Sequence, residues 1–261
     1  MASDSSSSSV DYIQAIATCI AIVGTFGVNS LSNFYPPGGQ NVGEISNTVF
    51  KNVQIIPANY AFIIWGIIYV GLIAYGIYQF QPSQRQDSRI RQTSRYLIIA
   101  CVIQIGWIYL FTLKLFWLSV AAMLGILASL SLAYQSLDIG RGAVTRWRRW
   151  LAHVPFSIYL AWISVATIVN VASALFYTGL RTSGTSWTVA MLLVGGGLAA
   201  IIIQRYRDTA FALVFVWAYG AIAVSQRTNL AIVITSLGVA VALIFHLVLT
   251  HYLCSHPSQS S

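Results

Sequence analysis

The stretch PANYAFIIWGIIYVGLIAYGIYQF, residues 57–80, opens with a turn-forming proline and asparagine and continues as an apolar run without a charged residue. A helix needs about 20 residues to cross a hydrocarbon core of roughly 30 Å, and this run is long enough. In lipid, backbone polar groups must find partners inside the protein, so spanning segments are helices or closed barrels. Because barrel strands alternate over only about 10 residues, this run predicts a transmembrane helix.

Composition extends that prediction to the whole chain. The 261 residues are 57% hydrophobic and 8% charged, whereas an ordinary soluble domain is about 25% charged. The fold class predicted is all-α, a polytopic transmembrane helix bundle with about eight spans. We place the spans at residues 12–30, 58–80, 95–113, 115–135, 151–178, 187–204, 209–225 and 229–253.

The basic residues predict an orientation in the membrane. Ten of the 14 Lys and Arg residues lie on the side of the N-terminus, and four, including Arg181, lie on the other side. The excess predicts cytoplasmic termini, with the plasma (inner) membrane as the expected location. The segment RWRRW, residues 146–150, predicts an interfacial anchor against membrane lipid. We expect no nucleic-acid partner, because the basic residues occupy short loops and form no groove-sized patch.

The longest connection between predicted spans is residues 31–57. Loops of this length are usually functional lids or disordered segments. This one carries several apolar side chains, among them Phe34, Tyr35, Phe50 and Ile55, which are unusual in a solvated linker. Two conformations are compatible with that composition: the loop folds over the mouth of the bundle, or it lies on the lipid surface.

Aromatic residues recur at helical spacing in three of the predicted helices. Phe62, Trp65 and Tyr69 share one helix face because steps of three and four residues return to nearly the same angle. The same spacing recurs in QIGWIYLF, residues 104–111, and in YLAWISVATIVN, residues 159–170. Periodicity alone is compatible with helix packing or with a cleft for a flat, mostly apolar ligand. Asn170 fits either interpretation, as an interhelical hydrogen-bonding group or as a polar anchor for that ligand.

These stretches, in this order and spacing, resemble the second, third and fifth helices of the tryptophan-rich sensory protein family. This is the TspO/MBR group, related to the mitochondrial translocator protein or peripheral-type benzodiazepine receptor. The similarity covers residues 12–178, and its most specific part is the pattern YLAW-x3-AT-x2-N at residues 159–170. It implies a five-helix bundle that binds a porphyrin, a sterol or a related hydrophobic small molecule beneath the first long loop, for sensing or transport. The implied ligand-binding residues are Trp65, Tyr69, Trp107, Phe111, Trp162, Ala166 and Asn170. Homodimers are common in the family, so a homodimer is among the expectations.

The chain also departs from the family pattern. The family usually has tryptophan near Asn59 and proline near Ile63, and Gln104 replaces a typical asparagine. The stretch after Asn170 lacks a sterol-recognition-like sequence, which argues against a cholesterol role.

Segments outside residues 12–178 exceed the five-helix plan. Residues 179–254 add three predicted transmembrane helices, in which glycines 195–197 favour close helix packing. Residues 1–11 are predicted to be a disordered polar tail and not a cleavable signal peptide, because no basic residue precedes the first apolar run. Residues 255–261 form a second short polar tail.

The ionisable residues predict no enzyme and no metal site, and no resident cofactor is expected; the porphyrin-like ligand is implied by the family resemblance alone. The six acidic residues all lie in tails, loops or span ends: Asp4, Asp11, Glu44, Asp87, Asp138 and Asp208. His246, His251 and His256 follow one another at five-residue steps near Cys254, which turns each side chain away from the last. Two other functions stay open: a small-solute permease that uses all eight helices, and a tetrapyrrole-modifying membrane enzyme.

Overall fold

The computed structural model describes residues 2–180 and 184–255, with side chains for residues 11–180 and 184–252. Arg181, His256 and the side chain of Cys254 therefore lie outside the described part of the chain. The α-helices are α1 (Ala2–Phe34), α2 (Val42–Thr48), α3 (Ile64–Tyr78), α4 (Pro82–Arg85), α5 (Ser88–Thr112), α6 (Phe116–Ser136), α7 (Arg146–Arg148), α8 (Val154–Tyr177), α9 (Thr185–Tyr206), α10 (Thr209–Ser225) and α11 (Leu230–Ser255). A 3₁₀ turn, Asn59–Ile63, leads into α3, and a π-helical turn, Arg149–His153, joins α7 to α8.

The all-α prediction is confirmed: the described residues contain helices and no strand. Among them, seven helical stretches are long and apolar enough to cross a membrane. The remaining predicted span, residues 209–225, corresponds to α10, an apolar helix of 17 residues. At 1.5 Å per residue it is about 26 Å long, which is at the lower end of the lengths that span a bilayer.

Helix boundaries follow from local sequence signals. Helix α5 begins at Ser88 because the Asp87 side chain accepts a hydrogen bond from the Arg89 N–H at 2.8 Å, which satisfies a backbone donor that lacks a helical partner. Asp208 caps α10 in the same way through the Phe211 N–H, at 3.0 Å. The tight turn between α5 and α6 contains Lys114 with a φ of 63°.

Helix α1 extends further towards the N-terminus than expected. It begins at Ala2, so residues 2–11 continue the first spanning helix where a disordered polar tail is predicted. Serine is only a moderately poor helix former. Once a long helix has been nucleated, each added residue gains one further hydrogen bond.

Helices α1, α3, α5, α6 and α8 form a bundle, and α9–α11 pack against it mainly through α10, with a smaller contact between α9 and α8. Helix α10 contacts α8 and the 3₁₀ turn, and it also contacts α9 and α11. The Trp217 indole N–H donates to the Ala61 carbonyl at 3.2 Å, and the Ala58 N–H donates to the Ala221 carbonyl at 3.1 Å. These bonds attach the last three helices to the segment that enters α3.

Two of the three consecutive glycines in α9 mark close helix contacts. A Cβ atom at Gly195 would lie 2.6 Å from the Tyr219 hydroxyl oxygen of α10, whereas Gly197 faces open space. Gly196 lies against Val239 of α11. The small residues therefore let α9 approach both of its neighbours closely.

Candidate ligand-binding site

A cavity of about 500 Å³ lies among α1, α3, α5, α6 and α8, beneath α2. Its volume is within the range of small-molecule sites, roughly 300–1,000 Å³. Its walls differ in chemistry. The apolar wall includes Phe62, Trp65, Trp107, Trp162 and Ala166, and the polar wall includes Asn29, Asn33, Asn41, Asn47, Asn59 and Gln104.

The residues implied by the family resemblance fall into three groups. Four of them line the cavity: Trp65, Trp107, Trp162 and Ala166. Phe111 and Asn170 instead line a smaller void of about 60 Å³, which Trp107, Trp162 and Ala166 also border. Tyr69 lines neither space; it is buried and stacks on Trp65 with ring centroids 5.8 Å apart.

A chain of hydrogen bonds holds Trp107. Its indole Nε1–H donates to Asn170 Oδ1 at 2.8 Å, and the Asn170 amide nitrogen donates to Ser119 Oγ at 3.0 Å. These residues belong to α5, α8 and α6, so one amide connects three helices. The contacts explain why a polar side chain is located deep in a spanning helix, where its groups need internal partners.

Gln104 connects a second set of helices at the cavity wall. Its Nε2 donates to the Tyr69 hydroxyl oxygen at 3.0 Å, and its Oε1 accepts a hydrogen bond from the Tyr159 hydroxyl. Tyr159 also packs edge-on against Trp65, with centroids 6.1 Å apart and planes at 68°. The amide therefore ties α5 to both α3 and α8 while it contributes to the polar wall.

Helix α2 and the residues after it cover the mouth of the bundle. Asn41 and Glu44 form a reciprocal capping box, with bonds of 2.8 and 2.9 Å between each side chain and the other backbone N–H. Ile45 and Phe50 are buried beneath this helix, whereas Tyr35 before it is exposed. The loop thus adopts the first of its two predicted conformations.

The asparagines of the polar wall were not foreseen as site residues. Asn29 and Asn33 are one turn apart on α1, and Asn41 and Asn47 flank or belong to α2. The density of asparagine between residues 29 and 59 was the available signal. Of the described residues that line the cavity, only Glu44 is ionisable, so neutral amides dominate the polar surface.

This architecture defines an integral, multi-pass membrane protein with an aromatic cavity between its helices. The chain belongs to the TSPO-like protein family, whose model matches residues 15–249. That match passes through α9 and α10 and includes most of α11. Searches of curated proteins and of solved structures each found no significant match.

Proposed function

We propose that this TSPO-like membrane protein binds a flat, largely apolar ligand of the tetrapyrrole class in the 500 Å³ cavity, for sensing or transport. The observation that carries the proposal is the convergence of Trp65, Trp107 and Trp162, from three different helices, on one cavity with an amide-rich wall. Aromatic rings offer a large apolar surface with preferred stacked or edge-on geometries, which suits a planar ligand.

The amide wall complements the polar edge of such a ligand. Each Asn or Gln side chain offers both donors and an acceptor, so amides such as Asn33 and Asn47 can bind carboxylate or carbonyl groups without a fixed charge. Binding at these groups, combined with stacking on the indoles, orients the ligand with its polar edge towards α1 and α2.

Titration with protoporphyrin IX tests the proposal. Purified protein in detergent is titrated while the porphyrin absorption band is followed, because this signal does not depend on which tryptophan has been replaced. We expect saturable, micromolar binding to the native chain, weakened by at least about fivefold in Trp162→Phe and Trp107→Phe, in line with the about 1 kcal/mol of an aromatic contact. Trp117→Phe is the matched control, since Trp117 is half exposed on α6 and lines neither space.

Equal affinity in all four proteins, or a linear and non-saturating response, would reject this site. The proposal involves no covalent chemistry, so the spectrum of bound porphyrin should stay constant under light and oxygen. Progressive loss of the band with the native protein, and not with the porphyrin in detergent alone, would favour the tetrapyrrole-modifying enzyme instead.

A small-solute permease is the second candidate, favoured by the attachment of α10 to the segment that enters α3. If transport uses all eight helices, proteoliposome uptake should depend on the packing of α9 against α10. Gly195→Val would disturb that packing, and Gly197→Val, which faces open space, is its control. Uptake of small neutral solutes that is lost only in Gly195→Val would support the permease; the absence of uptake by the native chain would reject it.

The proposal places the protein in the plasma (inner) membrane with both termini cytoplasmic, because arginine is concentrated in the loops on the side of the N-terminus. Labelling of single cysteines introduced at Ser83 and Lys51 of a chain without its native cysteines tests this orientation. Membrane-impermeant reagents should reach position 51 from outside intact cells and should not reach position 83.

A further inference from the structure

A second and larger cavity, of about 990 Å³, lies between the five-helix bundle and α9–α11. It is bordered by the start of α3, the connection between α6 and α7, the π-helical turn with the start of α8, and the ends of α9 and α10 that meet at residues 206–210. One part of its lining is basic and another is apolar. The basic part is Arg141, Arg149 and Arg207, and the apolar part includes Ile63, Ile67, Ile158 and Leu213.

The arginines at the basic end of the cavity lack close carboxylate partners among residues 11–180 and 184–252. Within the described part of the chain, Arg149 and Arg207 form no ion pair. Among the described residues, the ion-pair partner of Arg141 is the distant Asp138, at 4.0 Å, and its guanidinium also lies 5.6 Å from the centre of the Tyr206 ring. A ligand with a negative group would therefore meet guanidinium groups that are not already neutralised.

Asp208 is the carboxylate that lines the same end of the cavity, and its oxygens accept hydrogen bonds from the protein. Asp208 is buried and accepts hydrogen bonds from the Tyr134 hydroxyl at 2.8 Å and the Ser157 hydroxyl at 2.6 Å. It also accepts the capping bond from the Phe211 N–H. These donors stabilise its charge locally, so Asp208 does not offset the arginines as a direct ion-pair partner.

His153 supplies an independent indication of a ligand. It lines the cavity, the residue is only 6% exposed, and its buried Nε2 has no hydrogen-bond partner among the residues that the structure describes. Buried polar atoms in proteins almost always have a partner. A polar group bound in the cavity that His153 lines would provide one.

The dimensions suit a membrane lipid better than a small anion. From Arg149 to Ile158 the chain runs nine residues along the helix, which is about 13 Å at 1.5 Å per residue. That distance is close to the roughly 15 Å hydrocarbon depth of one leaflet of a 30 Å core. Ile63, Ile67 and Leu213, each more than half exposed, provide an apolar surface for acyl chains.

We propose that this cavity binds one anionic phospholipid, with its phosphate at Arg149 and Arg207 and its acyl chains along Ile63, Ile67 and Leu213. Basic pockets between transmembrane helices are a recurrent site for anionic headgroups. The bound lipid fills the space between the bundle and α9–α11 and so stabilises their association. The site is separate from the tetrapyrrole cavity and does not depend on its occupancy.

Native mass spectrometry of the delipidated full-length protein tests the proposal with phosphatidylglycerol and phosphatidylcholine of identical chains. The native chain should retain one phosphatidylglycerol in preference to phosphatidylcholine. Arg149→Gln/Arg207→Gln should weaken that binding at least about tenfold, given roughly 1 kcal/mol for each basic residue near an anionic headgroup. Arg146→Gln/Arg205→Gln is the matched control: it removes the same charge at neighbouring positions that do not line the cavity.

Two further measurements test the acyl-chain part of the site. Ala210→Trp places a large side chain in the cavity lining and should abolish the preference for phosphatidylglycerol without removing a charge. Glycerol phosphate, which carries the headgroup chemistry without chains, should not displace the bound lipid at millimolar concentration. Displacement by glycerol phosphate would overturn the proposal, because it would mean that the cavity binds a free phosphate group.

Equal retention of the two lipids would also overturn the proposal, and so would an equal loss of phosphatidylglycerol binding in the two double variants. Either result is expected for lipid that surrounds the protein without a specific site. The unfolding midpoint of each variant in detergent shows whether it is folded. The comparison of lipids on the native chain and the Ala210→Trp variant still decides the question if an arginine variant does not fold.

Discussion

Trp107 donates its indole N–H to Asn170 at 2.8 Å across the interface between α5 and α8. The Asn170 amide also donates to Ser119. Both polar atoms of this side chain are therefore engaged in hydrogen bonds between helices. Asn170 thus positions an indole that lines the cavity, while its own side chain borders only the smaller void.

Replacement of Asn170 by leucine should lower the free energy of unfolding by about 1–2 kcal/mol, because transmembrane hydrogen bonds contribute up to about that amount. The change leaves the Trp107 N–H without its described partner, whereas the Ser119 hydroxyl keeps its bond to the Phe116 carbonyl. Unfolding in detergent measures the effect. In an Asn170→Leu background, Trp107→Phe should lower the free energy of unfolding by less than it does in the native chain. Equal decreases in the two backgrounds would show that the two residues are not coupled.

Gln104→Leu should be more destabilising than its size suggests, by about 2 kcal/mol, because it leaves the buried Tyr159 hydroxyl without its hydrogen-bond partner. The Tyr69 hydroxyl keeps a second partner, Asn29. Removing the Tyr159 hydroxyl in Gln104→Leu/Tyr159→Phe should restore more than half of the lost stability. A double variant that is less stable than Gln104→Leu alone would contradict this explanation.

The ion pair between Asp87 and Arg148, at 2.5 Å, should make stability depend on pH. Burial by itself raises the pKa of Asp87, but the hydrogen bonds from Arg148 and from the backbone of Arg89 outweigh it and hold the pKa below its ordinary value. The stabilisation is therefore present above the unfolded-state pKa of about 3.9 and is lost as the pH falls through the lower folded-state pKa.

Asp87→Asn isolates this ion pair, because asparagine keeps the capping function at the start of α5. Between pH 5 and 8 we expect a constant loss of about 1 kcal/mol, which disappears as the pH drops below about 4. Urea unfolding across this pH range provides the measurement. Asp138→Asn is the control, because the pair of Asp138 with Arg89 is more exposed, and it should change the free energy of unfolding little. If the effect of Asp87→Asn persisted unchanged at pH 3, the ion pair would be excluded as its cause.

Gly140→Ala should destabilise the junction between the bundle and α9. Gly140 has a φ of +77°, and a Cβ atom there would lie 2.8 Å from the Cα of Tyr206. Backbone strain for an L residue and the steric overlap together should cost at least about 2 kcal/mol. Gly142→Ala is the control two residues away, where nothing lies within 4 Å. If the two substitutions lowered the unfolding temperature equally, the role of Gly140 would be refuted.

Much of the architecture could be predicted from local sequence. Hydropathy is a property of each segment, and a segment that crosses lipid must satisfy its own backbone, so the spans near residues 58–80 and 151–178 follow without knowledge of their neighbours. Helical periodicity likewise placed Trp65 and Tyr69 on one face. The pairing of that face with the faces of α5 and α8 came from the family resemblance, because periodicity leaves packing and ligand binding equally open.

Tertiary structure alone decided what the polar groups do. The asparagines of α1 and α2 reach the cavity because the loop folds over the bundle, and that conformation depends on the burial of Ile45 and Phe50 beneath it. Asp208 stands at a helix end in the sequence, yet it is buried against Tyr134 and Ser157, 74 and 51 residues away along the chain. The sequence by itself determined which segments enter the membrane, since transfer into lipid depends on each segment alone. Which side chains share a cavity was decided by packing between segments, because that free energy depends on pairs of residues far apart in the chain.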